Sequence, residues 1–146
     1  MSVFRRLLCR FSSAVKKIDS FETLTLTLTG MRHCTEYIVV ADGDEASVGR
    51  YEVGREKNIP TGSAKIPLSK MISRLNEFGV AGWDGFHGPH PKRIRDGTMF
   101  RLNVDLGNGK TVRADGSQNF PPHFRDLVDF LREITDGDPG GNSAEA

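Results

Sequence analysis

Chemically capable side chains crowd most densely into Gly82-Trp83-Asp84-Gly85-Phe86-His87-Gly88-Pro89-His90-Pro91, followed by Lys92-Arg93-Ile94-Arg95-Asp96-Gly97. The only tryptophan, two histidines, two aspartates and a basic triplet share this stretch, which lies between regular elements, where binding groups are commonly mounted. Trp83, Asp84, Phe86, His87, His90, Arg93 and Arg95 are therefore the candidate binding residues. A structural reading competes: Trp83 and Phe86 plug the end of a core, Asp84-Gly85 forms a turn, and the charges face water.

The same loop admits a metal site. Asp84, His87 and His90, with His123 or His33 added from elsewhere, would supply imidazole and carboxylate ligands and leave a position for water, as a metal-dependent hydrolase requires. The spacing is weak support. His87 and His90 enclose Gly88 and Pro89, there is no HExxH, and neither imidazole has an identifiable orienting partner. No metal and no cofactor is expected. Nucleophilic catalysis has less behind it: Cys34 adjoins His33, but neighbours on a strand or turn point apart. No nucleophile elbow, phosphate loop or dinucleotide fingerprint occurs. Gly116-Ser117, before the last helix, could offer amides to an anion with Arg93 or Arg95 assisting, although a helix entry and cap is the plainer reading. No catalytic residue is assigned.

The frame that must hold these residues is a chain of 146 residues and 16.1 kDa, 37% hydrophobic, 27% charged and of net charge +1. That composition describes one globular domain and excludes disordered, collagen-like and disulfide-stapled classes. Cys9 and Cys34 form no CxxC pair. No apolar run approaches the roughly 18 to 20 residues that cross a bilayer. Arg5, Arg6, Arg10, Lys16 and Lys17 make residues 1–18 basic with no acid, so the remainder is mildly acidic.

Residues 1–18 read as a basic amphipathic helix. At about 100° per residue, Val3, Phe4, Leu7, Leu8, Phe11, Ala14, Val15 and Ile18 fall within an arc of roughly 140° that excludes every basic side chain. Docking on the body, lying on an anionic membrane surface and organellar targeting all suit such a helix. A secretory signal does not, because Arg10 interrupts the apolar region, and the bulky Leu8 argues against a lipoprotein site at Cys9. Residues 135–146 lack large apolar side chains after Thr135 and read as a flexible acidic tail.

Residues 19–134 form the single domain. Leu24, Leu26 and Leu28 alternate with Thr23, Thr25, Thr27 and Thr29, which marks a strand buried on one face. Glu36–Ala41 is apolar on both sides and predicts a central strand; Asp42-Gly43-Asp44 turns into a third strand over Ser47–Arg55, with Val48 and either Tyr51 or Val53 inward. Leu68, Met71, Ile72, Leu75 and Phe78 recur at helical spacing until Gly79 stops them. Phe100, Leu102, Val104 and Leu106 define another strand, joined by an Asn108-Gly109 type I′ turn to Thr111–Ala114. A last helix begins near Pro121-Pro122 and carries Phe124, Leu127, Val128, Phe130, Leu131 and Ile134. The expected fold is α+β and two-layered: a mostly antiparallel sheet of about five strands, in the order α-βββ-α-ββ-α, with helices packed on one face.

The residues Trp83-Asp84-Gly85-Phe86, then Asp96-Gly97 before Phe100-x-Leu102, then Gly116-Ser117-x-x-Phe120-Pro121-x-x-Phe124-x-x-Leu127, carry a resemblance over residues 21–134. The pattern resembles that of a family of small bacterial α+β proteins for which no activity is established. It implies a bacterial α+β domain, makes organellar targeting less apt, and transfers no chemistry.

Nucleic acid is not an expected partner. Lys92, Arg93 and Arg95 cluster and Arg101 and Arg113 could share a sheet face, but Glu52, Asp105 and Asp115 fall near them and stacking aromatics are lacking. The function expected is a non-enzymatic protein- or peptide-interaction module, whose partner is a protein or a further copy of the chain. The alternatives are the Asp84/His87/His90 hydrolase and a membrane-peripheral factor anchored on an anionic surface through residues 1–18. A cytoplasmic location is expected, with a membrane-peripheral one as the alternative.

Overall fold

The computed structural model describes residues 17–30, 33–52, 60–89, 97–107 and 109–136. The helix expected over residues 1–18 lies outside these apart from Lys17 and Ile18, and the tail beyond residue 136 lies outside them too.

Four strands come first among the described residues: β1 (Thr23–Thr29), β2 (Cys34–Asp42), β3 (Glu45–Glu52) and β4 (Gly62–Pro67). Helix α1 (Leu68–Phe78) and a single 3-10 turn (Val80–Trp83) lead to β5 (His87–Gly88), then β6 (Met99–Asp105), β7 (Thr111–Ser117) and α2 (Phe124–Asp136). The seven strands form one sheet in the order β4-β3-β2-β1-β6-β7-β5. Every pairing is antiparallel except β5 with β7, so the sheet is mixed.

The expectation of a mostly antiparallel sheet of about five strands is thereby corrected. One extra strand is β4, Gly62-Ser63-Ala64-Lys65-Ile66-Pro67, whose small residues, glycine and terminal proline hide its alternation. As an edge strand it tolerates both. The other is β5, two residues long and parallel to β7, too short to carry a periodic signal. Gly116-Ser117, expected as an entry and cap ahead of the last helix, instead ends β7. The third strand is described over Glu45–Glu52, and the rest of the span expected for it, residues 53–55, lies outside the described set.

Registers place Leu24 beside Val39 and Val104, and Leu26 beside Tyr37 and Leu102. All buried hydrophobic sheet residues lie on that one face, and the buried residues of both helices join them in a single core. Helix α1 contributes Met71, Leu75 and Phe78, then ends at Gly79 with φ 78°, a left-handed geometry that glycine adopts without a Cβ penalty. Helix α2 contributes Phe124, Leu127, Val128, Phe130 and Leu131. Ile18 belongs to this core, only 1% exposed. The Asn76 side chain accepts from its backbone N–H at 2.8 Å and donates to its carbonyl at 2.9 Å.

The antiparallel β6–β7 pair forms with Asp105 opposite Thr111. Asn108 lies outside the described residues, and with it the turn type expected there.

Candidate functional site

The loop that carries the sequence-level candidates is built chiefly onto the edge of β7. Trp83 is buried, its ring 6.0 Å from that of Phe124. Phe86 is half-buried, 6.2 Å from Phe100. Asp84 is exposed, and its carboxylate accepts the Arg113 backbone N–H at 2.9 Å. The Gly85 N–H donates to the Arg113 carbonyl at 2.8 Å, while the Phe86 carbonyl accepts from the Asp115 N–H at 3.0 Å. Gly85 achieves this with φ 85°. Residues 84–86 therefore satisfy outward groups of β7 that would otherwise template another strand. His90, Arg93 and Arg95 lie outside the described residues.

His87 stands on β5 directly beside Asp115 of β7, and its Nδ1 lies 2.5 Å from the Asp115 carboxylate. Both side chains are more than half exposed. The Asp115 carboxylate orients the His87 ring through Nδ1. Asp84 and His87 are thus engaged with different groups, and no cluster of three metal-capable side chains occurs among the described residues.

The pair borders a shallow concavity of about 600 Å³ on the sheet face turned away from the helices, lined by Thr27, Thr29, Met99, Arg101, Asp115 and Ser117 among others. Strand registers align this face in rows. One runs Tyr51, Glu36, Thr27, Arg101, Asp115, His87 across six strands, and the next runs Cys34, Thr29, Met99, Ser117. No buried hydrophobic residue of the sheet belongs to it. Its threonines on β1 are half-buried, and Val40 and Met99, at 42% and 50% exposed, are the two exposed large hydrophobics among the described residues.

On the covered face a second set of polar residues converges under the start of α2, around a cleft of about 700 Å³ lined by His33, Thr35, Tyr37, Arg50, Phe120, Arg125, Arg132 and others. Arg50 and Glu52 share the inward face of Val48 because side chains alternate along β3. The Thr35 hydroxyl donates to Glu52 at 3.2 Å, and Arg50 Nη1 donates to Asp136 at 2.5 Å. Arg50 Nε is buried with no hydrogen-bond partner, 3.5 Å from a Glu52 oxygen. Burial pushes the Tyr37 phenol above its ordinary value of 10.0, against the opposing pull of the Arg50 and Arg132 charges. The strict alternation from Val48 was the signal for this cluster; Tyr51 instead points to the other face and covers Gly49, where an added Cβ would lie 2.9 Å from its ring.

Comparison with protein families, with curated proteins and with solved structures finds no match for this chain. No described helix is long and apolar enough to cross a membrane.

Proposed function

We propose that the chain is a non-enzymatic interaction module that binds a protein through the sheet face opposite its helices. The observation that carries this reading is that Val40 and Met99, the exposed large hydrophobics among the described residues, both stand on that face. Scattered apolar side chains need no explanation, but these share a broad, regular surface with half-buried Ile38 and a central row of threonines, whose side chains bury at little entropic cost. The loop of Trp83, Asp84 and Phe86 supports the surface from its edge, and His87 lies on its border.

A variant carrying Val40→Lys and Met99→Lys tests this. Both positions are exposed, so the fold is expected to persist, with circular dichroism and melting temperature close to those of the parent. In a lysate of the cells that make the protein, the parent is expected to migrate in an assembly larger than its own mass and the variant at its own mass. Identical migration of the two, with both folded, would remove the face from the account.

A further inference from the structure

We infer that the partner seated on this face is a second copy of the same chain, stacked sheet against sheet about a two-fold axis running along β1. This rests on the interaction reading above and names its partner.

Thr27 is flanked at the same level by Glu36 on β2 and Arg101 on β6. A two-fold rotation about an axis parallel to β1 exchanges the positions of β2 and β6 between facing copies. Glu36 of each copy then lies over Arg101 of the other, and the pair is made twice. Glu36 is half-buried, Arg101 is exposed, and neither has an ion-pair partner among the described residues. One level along, Thr29 is flanked by Cys34 and Met99, so the same rotation lays the thioether of one copy over the small thiol side chain of the other. Threonine 27 meets its own counterpart at the axis.

At the far end Thr23 is flanked by Val40 and Asp105, so the rotation sets Val40 against a carboxylate that already accepts the Gly107 N–H. The pairing is carried by the Thr27 and Thr29 levels, with size and strand alignment in agreement. Six strand spacings of about 4.8 Å and strands of about seven residues give a face of roughly 30 by 23 Å. The resulting area of about 700 Å² per copy is close to the ~800 Å² per partner of a standard stable interface. Two twisted sheets facing one another about such an axis keep their strands within about 30° of alignment, as sheet sandwiches do.

Sedimentation equilibrium of the purified full chain provides the test, with Glu36→Arg, Arg101→Glu and the double exchange. The parent is expected to be a dimer. Each single reversal places like charges opposite one another twice and should weaken association by about 100-fold or more. The double exchange restores opposite charges and should return dissociation to within about threefold of the parent. Circular dichroism of all four chains separates unfolding from dissociation. A monomeric parent that still migrates in a larger assembly in lysate overturns the self-pairing and leaves the interaction reading standing. A monomer in both settings overturns both. A dimer indifferent to the reversals, or a double exchange that stays monomeric while folded, overturns the proposed stacking.

Discussion

Trp83 and Asp84 are neighbours in the chain with different work. The indole is buried against Phe124, whereas the adjacent carboxylate sits outside and holds the Arg113 N–H of β7. Trp83→Ala should cost about 3–5 kcal/mol of folding stability, the range for emptying a large aromatic site, measured by chemical denaturation followed by circular dichroism. Asp84→Ala should cost only about 0.5–1.5 kcal/mol, because water can reach the released N–H. Tyr37 makes a pH-dependent prediction. Its folded-state pKa is raised chiefly by burial, so above 10.0 the unfolded chain releases the phenolic proton before the folded one does. Stability from this group is thus complete below 10.0 and falls as pH rises toward the folded value. Tyr37→Phe should flatten that alkaline decline in a series of urea midpoints. At this scale the sequence displayed the crowded loop but not the division within it. Adjacency says nothing about which side chain turns inward, and Asp115, which holds His87, is far away in the chain and reaches it only through strand pairing.

Among elements, those with an uninterrupted period were legible and those defined by what they touch were not. Leu24, Leu26 and Leu28 alternate with threonines and β1 forms there; Met71, Leu75 and Phe78 keep helical spacing and α1 forms there, ending at the glycine expected to stop it. β4 exists because β3 offers an edge and α2 passes close over it. A Cβ on Gly62 would stand 2.8 Å from the Thr135 carbonyl oxygen, a requirement that only the packed structure reveals. Gly62→Ala should therefore destabilise by about 1–3 kcal/mol through forced displacement of α2. Gly82→Ala, where nothing lies within 4 Å of the added methyl, should stay within about 0.5 kcal/mol of the parent. Similar effects for the two would show that the approach of α2 to β4 is not close. Likewise β5 is fixed by parallel pairing with β7, so two residues suffice without any pattern of their own.

For the whole molecule, the asymmetry of the sheet matters most. One face meets the helices through a continuous apolar core, and the other carries the threonines of β1, a single row that includes Glu36, Arg101, Asp115 and His87, and Val40 and Met99. Alternation along β1 and β6 made both faces readable from the chain, but their lateral order was not, since β1 at the centre with β2 and β6 on either side follows from tertiary pairing. That order is what sets Glu36 and Arg101 symmetrically about Thr27. Oxidation of methionine measures the claim directly, because Met99 is 50% exposed on the face while Met71 is fully buried in the core and serves as an internal reference. Brief peroxide treatment followed by mass spectrometry should find Met99 protected in concentrated protein and reactive in the Glu36→Arg chain, with Met71 protected in both. Equal Met99 oxidation in the concentrated parent and in Glu36→Arg, with Met71 still protected, would contradict a covered face.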